Sequence, residues 1–101
     1  MNDKMRIAQA ELHHLLETNQ LTTGMYVRVH GDHLIAGRKE PTPGGTLEED
    51  DRVRFTPLAR GRYGLSVKRH TGRWEKTPFT GSMRETVDVV CSFMQHLIAP
   101  Y

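Results

Sequence analysis

The feature that most constrains this chain is the two-residue link Gly31-Asp32, which separates two short segments that each have apolar residues two positions apart. A two-residue link with glycine first is typical of a type II′ turn, which joins neighbouring antiparallel strands. The turn also fixes the register of the pair, so that Val29 faces Leu34. We therefore predict a β-hairpin from strands over 25–30 and 33–38.

A second hairpin is predicted over 52–58 and 62–69, joined by Ala59-Arg60-Gly61. A three-residue loop that ends in glycine fits a type I turn followed by a G1 bulge. The resulting register brings apolar residues opposite one another in three pairs: Phe55 with Leu65, Val53 with Val67, and Pro57 with Tyr63. Such cross-strand pairs stabilise a sheet.

The fifth strand, over 73–78, has two possible registers. If only Thr71-Gly72 form the preceding loop, Trp74 lies on the core face of the sheet; if His70 also belongs to the loop, Trp74 lies on the opposite face beside Arg62 and Lys68. We expect Trp74 in the core, because burying a ring of that size stabilises the fold more than a cation stacked on it does.

Two helices enclose these strands. Apolar residues recur at steps of three and four over 3–18, which predicts an amphipathic helix. The residues Ser82-Met83-Arg84-Glu85 form a capping box, in which Ser82 and Glu85 satisfy each other's backbone N–H groups, and Pro100 ends the helix that follows. The apolar stripe of the second helix is broadened by Val89 and Phe93 beyond what one contact with the sheet requires. A homodimer through these two residues is therefore a further prediction.

The element order α-β-β-β-β-β-α predicts a single α+β domain over residues 1–101. The expected architecture is a two-layer sandwich: a five-stranded antiparallel meander with the N-terminal and C-terminal helices on one face, leaving the other face open. Residues 39–51 combine two prolines, a glycine pair and four consecutive acids, and are expected to form a long flexible loop. This layout is similar to that of double-stranded RNA-binding domains. Those domains have three strands and a lysine cluster at the start of the last helix, so their function is not transferred.

Location is inferred from what the sequence lacks. The N-terminal residues have no apolar signal segment, and the longest apolar run is three residues, so we expect no membrane association and a cytoplasmic location. Cys91 is the only cysteine, which excludes an intrachain disulfide. Its apolar neighbours predict a buried, unreactive thiol.

Charge is distributed unevenly along the chain. Residues 52–76 contain eight Lys or Arg and one acid, a net charge of +7, whereas residues 1–51 carry −4. The predicted open face gathers the side chains that we assign to an anion- or partner-binding site: Tyr26, Arg28, Arg52, Arg54, Arg62 and Lys68. Guanidinium groups held in rows suit carboxylates or phosphates, and Gly64 leaves a shallow dip among them. The alternative is a solvated face, or one covered by the acids Glu48–Asp51.

The leading functional prediction is a non-enzymatic binding or accessory domain whose basic face contacts an acidic protein or another anion. A nucleic-acid-binding domain that uses the same face is the second hypothesis. The third is a small enzyme in which His30, His33 or His70 acts as an acid or base under the 39–51 loop. No cofactor, catalytic or metal motif is recognised; His30 and His33 flank one turn, whereas zinc normally takes three or four protein ligands.

Overall fold

The computed structural model describes residues 3–100. These residues contain three α-helices, five strands and one 3-10 turn. In chain order, the elements are α1 Asp3–Glu17, β1 Tyr26–His30, β2 His33–Pro41, β3 Leu47–Pro57, the 3-10 turn Ala59–Gly61, β4 Tyr63–Lys68, β5 Trp74–Gly81, α2 Met83–Phe93 and α3 Gln95–Ile98.

The strands form one antiparallel sheet in chain order, β1-β2-β3-β4-β5, which confirms the predicted meander. Val29 pairs with Leu34 in the first hairpin, and Phe55 pairs with Leu65 in the second, as predicted. The positive φ of Gly31, 59°, fits the first position of a type II′ turn.

The helices lie on one face of this sheet. α1 packs over β1, and α2 packs over β4 and β5. One buried cluster joins the apolar stripes of both helices to alternate residues of the central strands, among them Leu34, Val53, Phe55 and Leu65. The fold is therefore the predicted α+β two-layer sandwich, and we call the other face of the sheet the open face. Within residues 3–100, no helix has both the length and the apolar character needed to cross a bilayer.

The second predicted helix begins as expected but is interrupted near its end. Ser82 accepts a hydrogen bond from the Glu85 backbone N–H, and the Glu85 carboxylate accepts one from the Ser82 backbone N–H, which completes the capping box. Met94 has φ −123° and ψ 28°, outside helical values, so the helix divides into α2 and the short α3. The divided helix brings the carbonyl groups of residues 97–99 over the edge of the β2–β3 hairpin.

Residues 39–51 do not form the irregular loop that we predicted. β2 continues to Pro41 and β3 begins at Leu47, with cross-strand pairs from Arg38–Asp50 to Pro41–Leu47. The prolines do not disrupt the pairing, because Pro41 is the last residue of its strand and Pro43 lies in the turn. We call this two-stranded extension, residues 38–51, the acidic ribbon. Among residues 3–100, no strand lies beside it, since β1 pairs with β2 only as far as Gly37 and β4 pairs with β3 only over 53–57.

The expectation that Trp74 lies in the core was also wrong. Trp74 pairs with Lys68, and the loop between them contains His70, Thr71 and Gly72, whose φ is 86°. The glycine provides the left-handed residue of a three-residue loop, and the additional loop residue turns every side chain at the start of β5 to the opposite face. Trp74 therefore belongs to the open face.

Candidate anion-binding face

Side chains on the open face are arranged in rows that cross the strands. The central row takes one residue from each strand, in the order Arg28, Ile35, Arg54, Ser66 and Lys76. Ile35 and Ser66 are only 1% and 3% exposed, because the longer side chains beside them lie over the sheet. Two further rows lie two residues along the strands from the central row, one on each side of it. One contains Tyr26, Lys68 and Trp74, and the other contains His33, Thr56 and Gly64.

One carboxylate already occupies a corner of this face. The Asp51 side chain, 13% exposed, accepts hydrogen bonds from the Tyr26 hydroxyl at 2.5 Å and from Arg28 Nη2 at 2.5 Å and Nε at 3.2 Å. Lys68 Nζ lies 4.0 Å from the same carboxylate. Burial by itself would raise the pKa of Asp51, but the hydrogen bonds from Arg28 and Tyr26 and the charges of Arg28 and Lys68 outweigh burial, and its pKa is lowered.

The Asp51 contacts change the interpretation of three predicted site residues. Tyr26, Arg28 and Lys68 do lie together on the open face, but they bind the acidic ribbon, whose Glu49 is also 3.9 Å from Arg28. A two-stranded ribbon by itself is marginally stable in water. These residues therefore anchor the ribbon to the body of the domain, and less of their binding capacity remains for an external anion.

Arg52 is not on the open face, and its assignment there was wrong. The pairing shifts by one residue between Ala36 and Gly37, so Arg52 is the additional residue of a β-bulge and points towards the helices. It is 5% exposed. Its guanidinium group donates to the Leu97 and Ala99 carbonyl oxygens at 2.7 and 3.0 Å.

The same guanidinium group bridges the acidic ribbon. Arg52 Nε donates to Asp50 at 2.7 Å, and Nη2 donates to Glu40 at 3.0 Å. Arg38, also buried, donates to the Ile98 carbonyl oxygen at 2.9 Å and to the Thr23 carbonyl oxygen at 2.6 Å. Arg38 and Arg52 thus hold the end of α3 against the ribbon, a structural role that the sequence pattern did not indicate.

Arg54 lies at the centre of the open face. Its guanidinium carbon is 5.1 Å from the centroid of the Trp74 ring, and Lys68 Nζ is 5.8 Å from the same centroid. These distances fall within the range of cation–π interactions. The buried Nε of Arg54 has no hydrogen-bond partner among residues 3–100.

Two further cations, Arg62 and Lys76, lie near Arg54, and we call these three residues the accessible cations. Arg62 Nη2 donates to the Thr80 hydroxyl at 2.6 Å, and Lys76 is exposed next to Ser66. In the described part of the chain, no carboxylate lies within 4 Å of Arg54, Arg62 or Lys76. Lys76 was missed because the expected register of β5 placed it on the other face, and Gly72 at the end of a three-residue loop was the signal that could have identified it.

The predicted dip at Gly64 is present. It is a depression of about 200 Å³ in the open face, bordered by Thr56, Leu58, Ser66, Lys76 and Thr80. The depression lies beside the accessible cations, and Arg62 reaches it through the Thr80 hydroxyl.

Of the three histidines proposed as acids or bases, His30 and His33 pair across the first turn, whereas His70 lies apart from them. His33 Nδ1 is 2.9 Å from the Thr56 hydroxyl, and the pKa of His33 is lowered first by burial and then by the charge of Arg54. His70 lies beyond the opposite end of the sheet, in a cleft with Asp50 and His96. No group of three or more His, Cys, Asp and Glu side chains within residues 3–100 could hold a metal ion. Burial raises the pKa of the Cys91 thiol, which disfavours the reactive thiolate.

The two residues predicted to form a homodimer contact differ in exposure. Val89 is partly buried against the core, whereas Phe93 is 68% exposed and stacks on Phe79 with 6.1 Å between ring centroids. A dimer through this surface stays a prediction.

Comparisons of the chain with protein-family models, with curated proteins and with solved structures give no match.

Proposed function

We propose that this domain is a non-enzymatic binding or accessory module whose open face binds an acidic segment of a protein partner. The supporting observation is that Arg54, Arg62 and Lys76 share one sheet face on which no helix packs, with no carboxylate within 4 Å of them among residues 3–100. Guanidinium and ammonium groups fixed on a rigid sheet are already arranged to bind carboxylates.

The chain's own Asp51 illustrates this chemistry. Its carboxylate lies on the same face and is bound by a hydroxyl group, a guanidinium group and, more distantly, an ammonium group. Arg54, Lys76 and the hydroxyl groups near them provide the same donor types one row away. A carboxylate of a partner therefore fits this surface without a change in the fold.

The spacing of the cations favours an extended segment that crosses the strands. Arg54 and Lys76 belong to strands separated by one other strand, so their positions are roughly 10 Å apart at the usual interstrand spacing. In the polyproline II conformation, an extended chain advances about 3.1 Å per residue and completes one turn in three residues, so every third side chain points to the same side. Acidic residues at every third position of such a segment would therefore lie over successive cations.

The position of the only tryptophan favours carboxylates over nucleic acid. Single-stranded nucleic acids bind well where bases stack on accessible aromatic rings. The Trp74 ring, however, has Arg54 and Lys68 within 6 Å of its centroid. The cations, rather than the ring, are thus the groups offered to a ligand.

The test uses a capped peptide of four copies of Glu-Ser-Ser, titrated while the fluorescence of Trp74, the only tryptophan, is recorded. We expect saturable binding at low salt that weakens as salt screens the charges. Arg54→Gln and Lys76→Gln should each lower the affinity about two- to fivefold, since an exposed ion pair contributes up to ~1 kcal/mol. Lys4→Gln, a change at an exposed residue of α1 on the other side of the sheet, is the matched control and should have no effect.

Two outcomes would contradict the proposal. One is the absence of any salt-sensitive binding by the wild-type domain. The other is tighter binding of a thymidine oligonucleotide than of the peptide, with a log–log salt slope of about −2, the value for three phosphate contacts on a single strand. That second result would instead support the nucleic-acid hypothesis for the same face.

A further inference from the structure

Gly64 is a glycine that its own backbone does not require. It lies within β4, the strand between β3 and β5, and its φ is outside the left-handed region. A Cβ atom added there would lie 3.6 Å from Leu58 Cδ1 and 4.0 Å from the Thr56 carbonyl oxygen, which are ordinary van der Waals distances. Glycine inside a strand weakens that strand, because it has no side chain to pack and more backbone freedom to lose.

Gly37, on the same face, shows the contrast. A Cβ atom there would overlap the Asp50 carbonyl oxygen and lie 2.5 Å from the Tyr26 hydroxyl, so the structure itself excludes a side chain. No such contact excludes one at Gly64. Glycine within a strand often marks a bulge or a place where another molecule approaches the backbone closely. The pairing of β4 with β5 does shift between Gly64 and Ser66, but the additional residues of that shift belong to β5 and not to the strand of Gly64.

Gly64 forms the floor of the open-face depression of about 200 Å³. The surface that lines this depression is mainly apolar, and Leu58 forms the part of its wall next to Gly64. A cavity of roughly 150 Å³ can hold a benzene ring, so there is room for one leucine side chain. An added methyl group on residue 64 would occupy the floor.

The depression also lies where the proposed ligand passes. Gly64 is two residues from Ser66 along β4, and Ser66 separates Arg54 from Lys76 in the central row. A segment with acidic residues over both cations therefore carries its intervening residues past the depression.

We propose that Gly64 forms a specificity pocket for one aliphatic side chain of leucine size, placed between two acidic residues of the bound segment. This inference rests on the proposed function and narrows the ligand to an extended acidic segment with a leucine between its acids. The cations would provide long-range attraction, and the pocket would distinguish one acidic segment from another.

The test compares two capped peptides of equal charge, four copies of Glu-Leu-Ser and four copies of Glu-Ser-Ser, by Trp74 fluorescence and calorimetry. We expect the leucine peptide to bind wild type about five- to tenfold more tightly, as expected for a leucine that is partly removed from water. Gly64→Ala should abolish this preference, so that the two peptides bind the variant with equal affinity. Gly44→Ala, at the tip of the acidic ribbon where a Cβ meets only Thr42 Oγ1 at 3.9 Å, is the matched control and should keep the preference.

A second variant makes the result independent of how residue 64 affects folding. Leu58→Ser removes an exposed part of the pocket wall and should also reduce the preference. Equal binding of both peptides by wild type would overturn the pocket and leave the proposed function intact. Binding of neither peptide would overturn both, and a preference that persists in Gly64→Ala and Leu58→Ser would place the leucine elsewhere.

Discussion

The guanidinium carbon of Arg54 lies 5.1 Å from the centroid of the Trp74 ring, and the two residues meet across β4, the strand between their own. Ser66, which pairs with Arg54 on that strand, is 3% exposed. The pair thus covers the centre of a sheet face that no helix of residues 3–100 covers. It also holds the guanidinium group in place, which would reduce the entropy lost on binding of the proposed acidic segment.

The Arg54–Trp74 contact should be measurable as a coupling energy. We expect a double-mutant cycle with Arg54→Gln and Trp74→Leu, read by urea unfolding and circular dichroism, to give a coupling of ~0.5–1 kcal/mol. The control cycle pairs Trp74→Leu with Arg62→Gln, because Arg62 bonds to Thr80 instead. A coupling near zero in the first cycle, or an equal coupling in both, would show that the stacked contact is absent in solution.

Arg52 and Arg54 are separated by one residue but should respond very differently to substitution. Arg52→Met leaves Glu40, Asp50 and the carbonyl groups of α3 without their cation, so we expect a loss of about 2–4 kcal/mol in the free energy of unfolding. Arg54→Met, the matched change on the open face, should cost about 1 kcal/mol or less. Similar urea midpoints for the two variants would contradict the assignment of Arg52 to a structural role.

Asp51 should make stability depend on pH in the acidic range. Its pKa is lowered in the folded domain despite burial, because Arg28 and Tyr26 bond to the ionised form. The stabilisation is therefore complete above the unfolded pKa of about 4 and is lost as the pH falls towards the lower folded value. Asp51→Asn should cost about 1–2 kcal/mol at pH 7 and flatten this decline. Thermal unfolding at a series of pH values checks both effects. If the stability of Asp51→Asn falls with pH as steeply as that of wild type, the pH dependence comes from other groups.

The turns explain how much of the fold was predictable from the sequence. Gly31-Asp32 and Ala59-Arg60-Gly61 each define a loop length, and loop length defines which residues pair, so the pairings within the first two hairpins follow from the residues alone. The prediction for the β4–β5 hairpin failed at the same step. His70 could belong to the strand or to the loop, and preferring a buried tryptophan led to the wrong choice.

The site was less predictable because it depends on a β-bulge and on side chains distant in sequence. Alternation along β3 assigned Arg52 and Arg54 to the same face, but the additional residue at the bulge turns Arg52 towards the helices. Nothing local in the sequence marks that bulge. The role of Asp51 was equally hidden, because its partners Tyr26 and Arg28 lie more than twenty residues away in the chain and meet it only through the paired acidic ribbon.

The exposed aromatic pair on α2 and β5 gives the predicted homodimer a direct test. Phe93 is 68% exposed and stacks on Phe79, and in a two-fold contact each copy would bury the same pair. We expect sedimentation equilibrium to show self-association that Phe93→Ser weakens at least tenfold, since each copy loses a buried aromatic ring. Ile7→Ser is the matched control, because Ile7 is 67% exposed on α1. A wild-type domain that sediments as a monomer across the concentration range, or an equal effect of Ile7→Ser, would exclude a dimer through this surface and leave the proposals for the open face unaffected.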